Sequence, residues 1–314
     1  MTNPLHEALF ARHEGSASTL ISGPGDPVSY GTFLARADAL AHGLLQAGVE
    51  PGDRVAVQVH KSWAALALYA ACVKAGIVFL PLNTAYTPAE VAYFVSDAQA
   101  ALLVCDPDDK AALEPVANEA GARMVTMDRA GQTSLGESAT GPFETVERTG
   151  ADIAAILYTS GTTGRSKGAM LTQDNLLSNA RSLALAWRWQ AEDVLLHALP
   201  IFHTHGLFVA CNVTFLAGSS MHFLPSFDRN AIIAALPAAT TMMGVPTFYT
   251  RLLDDPRFDR ALVGHMRLFT SGSAPLLAET HVSFEKRTGL RILERYGMTE
   301  TNMNTSNPYD GERR

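Results

Sequence analysis

Cysteine is scarce in this chain of 314 residues: Cys72, Cys105 and Cys211 are odd in number, far apart, and each sits in an apolar stretch. That excludes a disulfide framework, offers no metal-ligand spacing, and suits buried reduced thiols, hence an expected cytoplasmic location. Residues 1–18 hold no continuous apolar segment after a basic start, so no signal peptide is expected. No apolar run is long enough to span a bilayer. Basic residues number 24 against 31 acidic ones, a net charge of −7. That balance argues against broad binding to nucleic acid or to an anionic membrane, while leaving room for a local basic pocket. There is no internal repeat or low-complexity tract, and nothing points to an oligomeric state.

What is present is an alternation of strand-like and helix-like segments. Residues 54–59, 77–80, 101–105 and 123–126 read as strands. Residues 62–75, alanine-rich and apolar nearly all round, read as a buried helix ending at Gly76. Thr87, Pro88 and Glu90 form a capping-box helix start, and residues 107–120 read as a further helix. Residues 130–150 break the rhythm and read as a surface connection. Beyond it, residues 173–187 have helical spacing, and residues 194–198, 242–245 and 268–270 read as strands. The class is α/β: two layered subdomains with mostly parallel sheets flanked by helices, with an approximate boundary between 1–150 and 151–314.

The densest chemical signal is Thr159-Ser160-Gly161-Thr162-Thr163-Gly164-Arg165-Ser166-Lys167-Gly168, directly after the apolar residues 153–158. Glycines let successive N–H groups turn toward one anion, hydroxyls add donors that rotate, and Lys167 adds charge. The loop reads as a cradle for nucleotide phosphates. It is not the common phosphate loop: that pattern, begun at Gly161, needs glycine where Ser166 stands and a hydroxyl where Gly168 stands. A short strand follows and a helix starts only near Thr172, so the phosphates are expected away from a helix N-terminus.

Four further segments stand out: 199–206 (Leu-Pro-Ile-Phe-His-Thr-His-Gly), 244–251 (Gly-Val-Pro-Thr-Phe-Tyr-Thr-Arg), 271–276 (Ser-Gly-Ser-Ala-Pro-Leu) and 294–301 (Glu-Arg-Tyr-Gly-Met-Thr-Glu-Thr). With the phosphate loop, in this order, they resemble the adenylate-forming acyl-CoA synthetase family, and the resemblance covers the whole chain. Within it, His-Thr-His-Gly at 203–206, Pro-Thr-Phe-Tyr-x-Arg at 246–251, Glu-Arg-Tyr-Gly-Met-Thr-Glu-Thr at 294–301 and Met-Asn-Thr-Ser at 303–306 resemble the malonyl-CoA synthetases. The resemblance implies that a carboxylate attacks the α-phosphate of ATP, giving an acyl-adenylate, and that coenzyme A then displaces AMP. An anion approaching a polyanion needs positive charge and fixed dipoles.

Carried over by position, Thr159, Ser160, Gly161, Thr162, Thr163, Gly164 and Lys167 would hold the β- and γ-phosphates. Thr299 would donate to the α-phosphate. Glu300, with Thr163, would hold Mg²⁺. Ser271, Gly272, Ser273 and Ala274 would form the adenine-side wall. Glu294, Arg295, Tyr296, Gly297 and Met298 would complete the nucleotide site, with Tyr296 along the adenine or simply a buried packing aromatic. His203 would gate the acyl and nucleotide sites.

Malonate brings a second carboxylate that must be desolvated, and a guanidinium can take it with two parallel N–H···O bonds. Arg295 and Arg251, assisted by His205 and Ser273, are the candidates. The residues themselves leave rivals open: Arg251 as a surface helix residue, Arg295 as a salt-bridge partner of Glu294 or a distant acid, and His205 as a structural histidine. His203 and His205 would share one face of a strand, yet no third ligand for zinc is evident. Methylmalonate, another short acid, or a non-catalytic nucleotide-binding module are the alternatives. The resemblance also implies an incomplete N-terminal domain. The ribose-binding aspartate, hinge, and lid with its lysine would follow in roughly one to two hundred further residues. The chain alone is therefore expected to adenylate poorly, and Lys167 is not the lid lysine.

Overall fold

The structure is a computed structural model that describes residues 2–23, 25–136, 141–159 and 165–312. Residues 160–164, five of the proposed phosphate ligands, lie outside the described residues. The chain divides into two compact units. The first comprises residues 1–18, 29–177 and 201–203, and the second comprises 19–28, 178–200 and 204–314.

The first unit is built on a six-stranded sheet in the order Arg123–Thr126, Leu102–Cys105, Arg54–Gln58, Val78–Pro81, Ile153–Thr159, Lys167–Thr172. All neighbours pair in parallel except the last two, which form an antiparallel hairpin. Alternation along Val78–Pro81 sorts the helices onto two faces. Val78 and Leu80 enter a core with Val91, Phe94 and Val95 of the helix Pro88–Asp97 and Leu113 of Lys110–Ala120. Phe79 points the other way, its ring centroid 5.4 Å from that of Tyr69 in the helix Trp63–Lys74. That helix is buried from Ala64 to Lys74, as its apolar composition requires. The capping box at Thr87 forms in full: the Thr87 backbone N–H donates to Glu90 Oε2 at 2.8 Å and the Glu90 N–H returns to Thr87 Oγ1.

The described residues of 130–150 form a connection without helix or strand, as expected, yet it is pinned at several points. Leu135 and Phe143 are buried, Val146 N–H donates to Lys74 O at 2.9 Å, and Arg148 Nε donates to Gly76 O at 3.1 Å. A segment without periodicity is still pinned where it carries apolar side chains and finds free carbonyls.

The second unit holds an eight-stranded sheet in the order Asn302–Ser306, Ile292–Met298, Leu268–Ser271, Thr241–Gly244, Val194–His197, Ser220–Phe223, Thr19–Ser22, Val28–Ser29. Pairing is parallel from Ile292–Met298 to Thr19–Ser22. The strand Asn302–Ser306 runs antiparallel, with a bulge at Tyr296/Gly297. An aromatic cluster packs the helices Pro246–Leu253 and Ala278–Thr288 onto this sheet. Phe284 lies 5.1 Å from Phe269 and 5.7 Å from both Tyr249 and Phe258, centroid to centroid. Asp193 is fully paired: it accepts from Arg267 Nε at 2.7 Å, Thr240 Oγ1 at 2.9 Å and Gln190 N–H at 2.8 Å. Among the described residues no helix is long and apolar enough to cross a membrane.

Candidate active site

In the first unit the phosphate-loop segment joins two antiparallel strands, and Thr159 and Lys167 face each other in register at its mouth. The cation and a hydroxyl therefore sit at the two stems of the loop, and a strand follows Lys167, with the helix Gln173–Ala186 only beyond it. Both stems are tied to the helix Pro88–Asp97, a link that local sequence patterns did not indicate. The Tyr93 hydroxyl donates to Ser166 O at 2.6 Å, and the Arg165 guanidinium lies 4.5 Å from the Tyr93 ring centre. The Tyr158 hydroxyl donates to Asp97 Oδ2 at 2.6 Å. Burial first, then this hydrogen bond, raises the Tyr158 pKa, so the phenol stays protonated. His203 belongs to the same unit. Its ring meets that of Phe202 edge-on at 4.6 Å, and partial desolvation lowers its pKa below the ordinary histidine value.

In the second unit a cleft of about 590 Å³ opens between the loop after Leu268–Ser271 and the terminal hairpin. Its walls include Ser273, Ala274, Glu294, Arg295, Tyr296 and Gly297. Six of the expected nucleotide residues thus meet in one place. Glu294 ties the walls together: its Oε1 accepts from Leu276 N–H at 3.3 Å, and its Oε2 lies 3.1 Å from His281 Nε2. Tyr296 is 57% exposed, which overturns the alternative of a buried packing aromatic. Its face is open to the cleft because the bulge turns the strand there. The bulge needs Gly297, since a Cβ there would stand 2.9 Å from the Asn302 carbonyl carbon and closer still to its oxygen. Thr299 and Glu300 occupy the turn between the two hairpin strands, Thr299 half-buried and Glu300 exposed.

Arg295 is the most unusual group of this unit. It is 6% exposed, and its Nε and Nη2 have no hydrogen-bond partner among the described residues. Burial pulls its pKa down to about 10, with the nearby Tyr249 hydroxyl acting in the opposite direction. It makes no ion pair among the described residues, which removes the salt-bridge alternative. The guanidinium lies against Gly272, where a Cβ would meet Arg295 Nε at 2.6 Å.

His205 is not on a strand, as its spacing from His203 suggested. It opens a buried π-helical segment, His205–Cys211, a geometry often found at functional sites. His205 Nδ1 and Ser273 Oγ share a hydrogen bond at 3.3 Å, and Ser273 holds a left-handed φ of 69°. Arg251 stands in the last turn of Pro246–Leu253. It is exposed, its guanidinium lies 5.5 Å from the Phe227 ring centre, and it makes no hydrogen bond or ion pair among the described residues. Among the described residues no group of three or more His, Cys, Asp or Glu could hold a metal ion.

The model of the AMP-binding enzyme family matches residues 7–314. The chain belongs to this family. A crystal structure of MatB from Rhodopseudomonas palustris with ATP bound superposes with a TM-score of 0.96 at 53% identity, covering 100% of this chain and 63% of that one. A feruloyl-CoA synthase of Amycolatopsis is 33% identical over 95% of this chain and 58% of its own length. The mitochondrial malonate–CoA ligase of Bos taurus is 30% identical over 99% of this chain and 59% of its own. The chain thus spans about three fifths of its relatives' length. In this AMP-binding enzyme, sequence reasoning missed Tyr93 and Asp97, which hold the phosphate-loop stems. It also missed the steric role of Gly272. The tyrosine lies outside every motif, and a glycine's reason for being glycine appears only when its neighbour is seen.

Proposed function

We propose that this chain supplies the ATP- and acid-binding region of an AMP-forming acyl-CoA ligase whose acid is malonate. One observation carries the substrate: Arg295 is buried with two nitrogens that lack partners among the described residues. An uncompensated buried charge costs several kcal/mol. A carboxylate arriving with the ligand offsets that cost through paired N–H···O bonds. A monocarboxylic acid uses its only carboxylate in the reaction and has none to spare. Ferulate offers a phenol and no second carboxylate, so Arg295 favours the malonate-like relatives over the feruloyl one. Ser273, which shares a hydrogen bond with His205, lines the same cleft, and in this reading Arg251 assists Arg295.

In the proposed reaction one malonate oxygen attacks the α-phosphorus of ATP, and pyrophosphate leaves with the bridging oxygen. The coenzyme A sulfur then bonds to the acyl carbon, and AMP departs. Lys167 and Thr159, with Ser160 to Gly164 between them, hold the β- and γ-phosphates, and the Thr299 hydroxyl donates to the α-phosphate. The exposed cleft face of Tyr296 and the small residues Ser273 and Ala274 take the adenine. His203, its pKa lowered, is a neutral gate at pH 7 and adds no charge there. Glu300 makes no hydrogen bond or ion pair among the described residues. A free, exposed carboxylate of this kind fits Mg²⁺, a hard cation that takes its other ligands from phosphate and water. Mg²⁺ bound there would neutralise phosphate charge.

Thermal unfolding with malonate, butyrate or ferulate, each with and without ATP and Mg²⁺, tests the assignment through ligand linkage. Malonate is expected to raise the midpoint, butyrate and ferulate to leave it unchanged, and Arg295→Leu to abolish the malonate shift. Equal stabilisation by butyrate, or an undiminished shift in Arg295→Leu, contradicts it.

A further inference from the structure

Gly272 occupies a position where its backbone does not demand glycine. Its φ lies outside the left-handed region that the chain's strained glycines adopt. What demands glycine is space. The three heavy atoms that a Cβ would meet first are all in the Arg295 guanidinium: Cζ, Nη1 and, at 2.6 Å, Nε. No backbone atom is among them. The guanidinium thus lies flat against the bare Cα, in a slot one methyl group deep. Parallel register explains the meeting. Ser271 pairs with Glu294 across the adjacent strands Leu268–Ser271 and Ile292–Met298, so the next positions bring Gly272 and Arg295 side by side.

We propose that Gly272 is a specificity-determining positioning residue: by leaving this slot open it fixes the guanidinium in the orientation that receives the second carboxylate of a short diacid. The role rests on the assignment of Arg295 to the acid site and differs from a place in the adenine wall. It acts entirely through Arg295. A methyl group at 272 is relieved by displacing the free end of a flexible side chain, a small cost to folding. The same displacement takes the donor fork away from the carboxylate, and buried hydrogen-bonding sites discriminate strongly only when their donors are in place.

The test is a double-mutant cycle read by titration calorimetry, joined to a crystal structure of Gly272→Ala. Gly272→Ala is expected to weaken malonate at least tenfold, to leave Mg-ATP affinity within twofold, and to shift the guanidinium by more than 1 Å. In the Arg295→Leu background the same substitution is expected to change malonate binding no further. The inference is overturned if Gly272→Ala binds malonate like the parent, or weakens ATP as much as malonate. It is also overturned if the guanidinium stays in place beside the new methyl group, or if the effect persists without Arg295. Parent-like malonate affinity in Arg295→Leu alone would instead remove the acid-site assignment, and the inference with it. That outcome is read from a separate protein and so is distinguishable.

Discussion

At the scale of single residues, the two arginines offered as partners for a second carboxylate part company. Arg295 is enclosed and lacks partners on two nitrogens among the described residues, while Arg251 lies exposed over an aromatic ring. Arg295→Leu is expected to cost at least tenfold in malonate affinity and Arg251→Leu less than threefold, both measured by calorimetry. The reverse order would move the acid site to Arg251. The motifs gave the residue types at this site but not their burial. By the family resemblance, adjacency of Arg295 to Tyr-Gly-Met-Thr-Glu puts it near the proposed reacting centre, yet whether a salt bridge satisfies it depends on neighbours far along the chain. Gly297 supplies a second contrast. A methyl group there meets backbone, the Asn302 carbonyl, which has nowhere to go. Gly297→Ala should therefore destabilise the protein by about 1–3 kcal/mol, as overpacking does. A urea midpoint equal to the parent's would show that the hairpin tolerates the methyl group.

At the scale of elements, the strongest local signals were legible. Thr87-Pro88-Ala89-Glu90 starts a helix, the alanine-rich run is a buried helix, and the parallel strands 54–58, 78–81, 102–105 and 123–126 fall where alternation and apolar runs put them. The π-helical segment at His205 was not, because no side-chain periodicity announces an extra residue in a turn. Nor was the anchoring of the phosphate hairpin by Pro88–Asp97, which joins residues 73 apart. Removing that anchor separates loop geometry from loop composition. Tyr93→Phe keeps the ring under Arg165 but deletes the bond to Ser166. ATP affinity should fall about three- to tenfold, of the order of one lost hydrogen bond, with malonate affinity unchanged. Unchanged ATP affinity would show that the loop holds its shape without the tyrosine.

At the scale of the whole molecule, the α/β class was readable and the sheet membership was not. Thr19–Ser22 lies near the start of the chain yet joins the second sheet, with Ile21 opposite Met221. Pairing across such a separation is set by tertiary burial, which a local window does not contain. The first unit also has a titration built into its core. His6 is 3% exposed, its Nε2 lacks a partner among the described residues, and burial lowers its pKa from 6.5 to about 4. Between those values the unfolded chain binds a proton that the native state refuses. This contribution is therefore complete above pH 6.5 and is lost as pH falls toward 4, on the order of 3 kcal/mol in total. His6→Leu should accordingly lose less stability than the parent between pH 7 and pH 4.5, by urea denaturation at both values. Parallel losses would mean that His6 titrates normally.

We propose that the hairpin 153–172 grips the triphosphate and that the buried Arg295 guanidinium receives a diacid. A crystal structure of the protein with malonate and a non-hydrolysable ATP analogue tests it most directly. One malonate carboxylate is expected within hydrogen-bond distance of Arg295, with the triphosphate against Lys167 and Thr159. Malonate bound elsewhere, with the Arg295 nitrogens still bare, would contradict it.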